Sequence, residues 1–146
     1  MKQQLYIDYL KGEGYLPEPL ANGDVQFKLQ GEAYVITSAE SDPNYFKVSY
    51  YHSWNQDQAE QSIRLINAIN ARLKVVKVSS LQDVICFTTE TFLAEPEDFS
   101  KIFPRCINMI GVAKGALADG LRQLAIAASQ AAETVSAPAA AEEPSA

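Results

Sequence analysis

Residues 25–51 contain three runs that short turns separate: two runs, at 25–30 and 45–51, place apolar residues at every second position, and the run at 33–38 is β-branched and aromatic. An alternation with a period of two predicts β-strands that bury one face. The turns are too short for crossover connections, because parallel strands need a dozen or more linking residues. The segment therefore predicts an antiparallel meander of three strands, at residues 25–30, 33–38 and 45–51.

Helical and extended patterns on both sides of the meander complete the predicted fold. Apolar residues recur every three or four positions in three segments, which predicts amphipathic helices at residues 1–11, 56–72 and 96–131. Two further segments are β-branched or aromatic, which favours strands at residues 74–79 and 84–93. We expect one α+β domain in the order α-β-β-β-α-β-β-α, with a five-stranded antiparallel sheet and helices packed on one face.

Local signals mark the ends and the irregularities of two of these helices. Asn55 is a good N-cap for the second helix, and Gln58 stands at the position of a capping-box partner. Pro104 interrupts the pattern of the last helix, and an interior proline removes a backbone hydrogen bond. We expect a kink or a short first turn there, with the main helix beginning at about Pro104.

The end of the chain differs in composition from the domain. Residues 132–146 contain almost no branched apolar or aromatic side chains, and such a segment buries too little surface to offset the entropy of ordering. We therefore predict a domain at residues 1–131 and a disordered Ala/Pro/Glu tail at residues 132–146. The tail segment holds Glu133, Glu142 and Glu143, so it carries half of the formal net charge of −6.

The charge pattern argues against two classes of partner. Binding to nucleic acid or to an anionic membrane surface requires clustered Lys and Arg, and no run here holds three together. The start of the chain lacks an apolar signal segment, and the most apolar stretch, residues 106–128, carries Lys114, Asp119 and Arg122. We expect a cytoplasmic protein that binds neither nucleic acid nor membrane, with Cys86 and Cys106 as buried, unpaired thiols.

The residues needed for common catalytic and metal sites are scarce. His52 is the only histidine, the two cysteines are far apart, and the glycines at 111, 115 and 120 lie within a helical pattern rather than in a phosphate loop. His52 is expected at or near the surface at a strand end. The sequence predicts no catalytic residue, no metal site and no cofactor, and we expect the chain not to be an enzyme.

Two features exceed what the fold alone requires. Gly111 and Gly115, with Ala118, form a small-residue face in the last helix, and each interior glycine costs about 1 kcal/mol of helix stability relative to alanine. Either close approach to the sheet or close approach to a second copy would explain them. Tyr45 and Tyr51 are predicted to point away from the Phe46 face, which suits a partner-binding surface or cross-strand pairing on a solvated face.

Two segments resemble a known family. They are YLKGEGY at residues 9–15 and NGDVQFKLQGEAY at residues 22–34. Both are similar to the opening of the YbjN family, bacterial proteins labelled as proposed sensory-transduction regulators. The element order over residues 1–125 also resembles that of type III secretion chaperones, whose fold that family shares. The resemblance implies a small cytoplasmic dimer that binds proteins or peptides without catalysis, although a shared fold does not decide function.

Three functional hypotheses follow from these observations. The first is a non-enzymatic protein- or peptide-binding module, chaperone-like or a regulatory adaptor, that acts as a homodimer. The alternative is a small-molecule binder or enzyme with a pocket between sheet and helices, where His52 could contribute a polar group. The third is a subunit that is stable only within a larger assembly.

Overall fold

A computed structural model describes residues 2–136 as helices on one face of an antiparallel sheet. The helices are α1 (Lys2–Gly12), α2 (Gln56–Gln61), α3 (Ile63–Arg72) and α4 (Phe99–Ser136), with a 3-10 turn at Pro96–Asp98. The strands are β1 (Glu18–Pro19), β2 (Val25–Leu29), β3 (Glu32–Thr37), β4 (Tyr45–Ser53), β5 (Val76–Leu81) and β6 (Val84–Phe92). Their order in the sheet is β1-β2-β3-β4-β6-β5, so the predicted α+β class is confirmed.

The sheet has six strands rather than the predicted five. The additional strand is β1, in which Glu18 and Pro19 pair with Gln26 and Val25 of β2. Prolines bias the residues before them toward extended backbone, and a proline is tolerated at the edge of a sheet. A pairing of two residues leaves no alternation in the sequence, so the periodicity did not indicate this strand.

The turn between β2 and β3 explains the tight meander. Gln30 and Gly31 both have positive φ, at 54° and 80°, as a two-residue hairpin turn that matches the twist of the strands requires. The register then pairs Phe27 with Tyr34, whose rings stack with their centroids 5.5 Å apart. The meander therefore forms at the predicted place.

The core lies between the helices and one face of the sheet. Tyr6 of α1, Phe46 of β4 and Phe99 of α4 are at most 1% exposed, and their ring centroids lie 4.9–6.1 Å apart. Alternate residues of β4 point into this core, as the period-two pattern predicted. Phe103 extends the cluster toward Tyr9. Aromatic packing thus joins both terminal helices to the centre of the sheet.

The second predicted helix is divided in two. Asn55 caps α2, and the capping box with Gln58 is present as predicted. The helix ends at Ser62, which is fully buried and has φ −103° and ψ 0°, and α3 begins at the next residue. The predicted single helix at residues 56–72 is therefore two consecutive helices.

Helix α4 begins before the expected start of the main helix at Pro104 and ends after the predicted residue 131. It begins at Phe99 and continues through Pro104, so the main helix starts five residues before the proline. Pro104 lies close to the N-terminus of the helix, and its missing N–H removes a single backbone hydrogen bond. At the other end, the helix continues through residues 132–136, where alanines favour helix. The rest of the predicted tail, residues 137–146, lies outside the described residues.

Candidate binding sites

The predicted small-residue face of α4 is open to solvent. Gly111, Gly115 and Ala118 are all exposed, and a Cβ added at either glycine would meet no atom within 4 Å. These glycines therefore do not serve close packing against the sheet. Gly120 does serve close packing, since a Cβ there would lie 2.4 Å from a methyl carbon of Leu65 in α3. For Gly111 and Gly115, contact with a second copy stays a prediction.

Tyr45 and Tyr51 lie on the face of the sheet that faces away from the helices. Tyr51 is 45% exposed, whereas Tyr45 is half-buried, with its ring 5.9 Å from that of Phe92. The Tyr45 hydroxyl donates a hydrogen bond to the Glu90 carboxylate. Burial is the larger cause and this hydrogen bond the next, and together they raise the pKa of Tyr45 to about 12. Six residues of strand separate the two tyrosines by roughly 20 Å. They therefore belong to separate parts of this face.

Small polar side chains occupy the middle of the same outer face. Ser49 Oγ lies 3.2 Å from Thr88 Oγ1, and Cys86 Sγ lies 3.0 Å from the same atom. Cys86 and Cys106 are both buried and free, as predicted. Because these hydroxyl and thiol groups satisfy one another, the centre of the outer face offers few groups to a ligand.

A polar cluster lies where α4 crosses the meander. Lys114 forms an ion pair with Glu32 and donates a hydrogen bond to the Tyr34 hydroxyl at 3.3 Å. Its ammonium nitrogen lies 3.9 Å from the centroid of the Tyr50 ring, in a cation–π arrangement. The Tyr50 hydroxyl reaches Nδ1 of His52 at 3.5 Å. Residues from two strands, β3 and β4, and from α4 thus converge around one cation.

The electrostatics of this polar cluster favour a structural role. Burial alone would lower the pKa of Lys114, but hydrogen bonds to Glu32 and Tyr34 outweigh burial and raise the pKa. A lysine with a raised pKa stays protonated at neutral pH and does not act as a general base. The adjacent hollow, at about 220 Å³, is below the roughly 300 Å³ at which small-molecule sites begin. His52 is exposed beside it, at the end of β4.

Replacing Glu32 by glutamine is expected to make stability less sensitive to acid. The hydrogen bond from Lys114 holds the pKa of Glu32 below its ordinary value of 4.5. The carboxylate therefore stabilises the folded state above pH 4.5, and this contribution is lost as the pH falls through the lowered folded pKa. Urea unfolding should show Glu32→Gln less stable than the wild type at neutral pH, with a difference that shrinks below pH 4.5.

The matched control for this substitution is Glu60→Gln. Glu60 is exposed on α2 and forms no ion pair with any of residues 2–136. Its replacement should leave the pH profile of stability unchanged. A Glu32→Gln protein that follows the wild-type profile at every pH would show that the ion pair contributes no net stability.

A second hollow, which we call the Val75 groove, lies between the start of β5, the end of β6 and α4. Its apolar wall consists of Leu73, Val75, Ile102, Cys106 and Met109, and its volume is about 480 Å³. The apolar spacing that predicted the last helix includes Ile102 and Cys106. It did not indicate the groove, because a stripe does not show where the sheet beneath it ends.

The structure also bears on metal binding and membrane insertion. Within residues 2–136, no group of three or more His, Cys, Asp or Glu side chains could hold a metal ion. Over the same residues, no helix combines the length and the apolar character needed to cross a membrane. The candidate sites are therefore the small-residue face, the outer face of the sheet, the polar cluster and the Val75 groove.

Comparison with known proteins identifies the fold. No protein-family model and no curated protein matches this sequence. The chain is similar to the crystal structure of YbjN from E. coli, described as a proposed transcription regulator, with 14% identity and a TM-score of 0.64 over 82% of this chain and 92% of that one. It is also similar to an uncharacterized protein from Methanothermobacter thermautotrophicus, with 14% identity and a TM-score of 0.61 over 84% and 98% of the two chains. The expected YbjN-like fold is confirmed.

Proposed function

We propose that this chain is a cytoplasmic, non-enzymatic protein- or peptide-binding module, a chaperone-like or regulatory adaptor, that acts as a homodimer. One observation carries the proposal: the last part of α4 projects beyond the sheet. Every residue from Arg122 to Thr134 is exposed. At 1.5 Å per residue, this projecting segment is roughly 20 Å long.

The projecting segment continues the apolar stripe of the core. Ile110, Ala113 and Leu117 are at most 6% exposed against the sheet. The same stripe continues along the helix through Leu121, Leu124, Ala128 and Ala131, at intervals of three and four residues. Leu121 is half-buried and Leu124 is 45% exposed. The stripe thus passes from a buried face to an open one without a change in its spacing.

An open apolar stripe favours a binding role over a purely structural one. Helices in proteins draw most of their stability from packing an amphipathic face, and a short isolated helix is marginal in water. Alanine propensity supports the projecting segment, but Leu124, which is 45% exposed, adds nothing to stability while it remains in water. A partner that covers the stripe would supply the missing burial.

The partner surface can be tested with paired charge substitutions in α4. Leu124→Glu with Ala128→Glu places two carboxylates on the stripe, whereas Gln123→Glu with Gln130→Glu places two on the opposite side of the same segment. We expect the immobilised wild-type chain and the control with Gln123→Glu and Gln130→Glu to retain the same proteins from the native cell extract. Mass spectrometry would identify those proteins. The stripe variant should lose them by at least tenfold. Equal retention by all three chains would contradict the proposal.

The small-residue face supports the homodimer. Two interior glycines in an exposed helix cost about 2 kcal/mol relative to alanine. No atom of the described residues lies within 4 Å of a Cβ added at either glycine. Close approach of a second α4 at Gly111 and Gly115 would offset this cost, and a two-fold axis would place the same face of both copies in contact.

The dimer predicts a specific effect of Gly115→Leu. The substitution raises the helix propensity of α4, so it should not unfold the monomer. Its side chain would keep the two helices apart and weaken self-association at least tenfold, measured by sedimentation velocity over a range of concentrations. Gln123→Leu, elsewhere on the exposed surface of α4, serves as the control and should leave association unchanged. A wild-type chain that is monomeric at all concentrations would contradict the dimer.

A further inference from the structure

The Val75 groove exists because two paired strands differ in length. Strand β5 begins at Val76, opposite Thr89, whereas β6 continues to Phe92. The last three residues of β6 therefore have a strand partner only on the β4 side within the described chain. Beneath this missing stretch of strand, the apolar residues Ile102 and Met109 of α4 are not fully covered.

A strained residue forms one wall of this groove. The N–H of Val76 donates to the carbonyl of Lys74 at 2.8 Å, which closes a three-residue turn around Val75. Val75 has a φ of +74°, a conformation that a β-branched residue rarely adopts, and it is 62% exposed. Glycine would form the same turn without strain. The strained valine instead places an apolar side chain at the mouth of the groove, and strain of this kind clusters at ligand sites.

The rim of the groove is basic, although the chain as a whole is acidic. Arg72, Lys74 and Arg105 line it, and none of them forms an ion pair or donates a side-chain hydrogen bond to any of residues 2–136. The one acidic residue in the lining, Glu90, already binds Lys77 at 2.6 Å and accepts the Tyr45 hydroxyl. The groove therefore presents unpaired positive charge beside an apolar wall, in a protein of net charge −6.

We infer that the Val75 groove binds a small amphipathic anion, a medium-chain aliphatic carboxylate, in a role separate from the proposed function. The aliphatic chain would lie against Ile102, Cys106 and Met109, and the carboxylate would accept hydrogen bonds from Arg72 and Arg105 at the rim. Arginine suits this task because its planar guanidinium binds carboxylates with two hydrogen bonds. A volume of about 480 Å³ lies within the range of small-molecule sites.

The test compares decanoate with decan-1-ol, which has the same chain length without the charge. Titration calorimetry of the full chain should show decanoate binding at least tenfold more tightly than the alcohol. Arg72→Gln with Arg105→Gln should remove at least tenfold of the decanoate affinity and leave the alcohol unchanged. Arg64→Gln, at an exposed arginine outside the groove, is the matched control and should change neither affinity.

Two substitutions test the apolar wall. Met109→Trp fills the groove and should weaken both ligands at least tenfold, provided that circular dichroism shows a folded protein. Val75→Gly keeps the turn without strain and removes one wall, so it should weaken both ligands even if the tryptophan variant does not fold.

Five results would overturn the inference. Four are absence of decanoate binding, equal affinity for the acid and the alcohol, an equal loss in Arg64→Gln, and full affinity in Val75→Gly. A decanoate affinity that falls as the chain self-associates would assign the groove to a second copy instead, and would also overturn it. Because neither the Leu124 stripe nor Gly115 lines the groove, failure here leaves the proposed function untouched.

Discussion

Replacing Phe103 by alanine is expected to lower the free energy of unfolding by about 3–5 kcal/mol. Phe103 is 2% exposed, and its ring centroid lies 5.3 Å from that of Tyr9 and 5.6 Å from that of Phe27. The substitution removes apolar contact with both α1 and the meander and leaves a cavity between them. Urea unfolding followed by circular dichroism measures the loss.

The control for Phe103 is a phenylalanine at the surface. Phe92 is 75% exposed at the end of β6, and Phe92→Ala should change stability by less than about 0.5 kcal/mol. If the two alanine variants were equally destabilised, the burial of Phe103 would not be the source of its contribution. The position of α4 on the sheet would then need another explanation.

Replacing Asn70 by alanine is expected to lower the free energy of unfolding by about 2 kcal/mol, or about 1 kcal/mol for each of two hydrogen bonds. The Asn70 side chain donates to the carbonyl of Val78 at 2.9 Å and accepts from its N–H at 2.8 Å. Val78 lies in β5, the last strand of the sheet, and is 2% exposed. Asn70 thus occupies backbone groups that would otherwise be open at a sheet edge, where such groups favour aggregation.

Asn67 provides a matched comparison for Asn70. Both are in α3, so the gain in helix propensity on changing asparagine to alanine is the same in both, but Asn67 is exposed and has no such contact. Asn67→Ala should therefore be neutral or slightly stabilising, and the difference between the variants isolates the two hydrogen bonds. Equal unfolding free energies for the two proteins would mean that the Asn70 contact adds nothing.

The parts of the fold that could be predicted from the sequence are those that local patterns mark. The meander, the strands after it and the helices were predicted because periods of two and of three to four residues reflect which face of each element is buried. The alternation at Phe46 and the capping at Asn55 are both local patterns. Strand β1 was missed because two paired residues make no pattern, and Asn70 was missed because its partner lies eight residues away on another element.

The candidate sites also divide into those with a local sequence pattern and those formed by contacts between distant segments. Gly111, Gly115 and Ala118 were recognisable in sequence because glycine is unfavourable inside a helix. The sequence could not decide whether the sheet or open space lies against them. Lys114 and Glu32 gave no signal of their ion pair, since 82 residues separate them. The same holds for the Val75 groove, whose walls come from three separate segments.

The sequence by itself determined the α+β class, the antiparallel meander and the scarcity of groups for catalysis. Each of these depends on residue type and on spacing over a few turns or strand residues. Only the tertiary structure decided that α4 projects past the sheet, that Gly120 rather than Gly111 packs closely, and that Arg72 and Arg105 share a groove with Val75. Those facts depend on where one element ends relative to another, and contacts between distant segments leave no period in the chain.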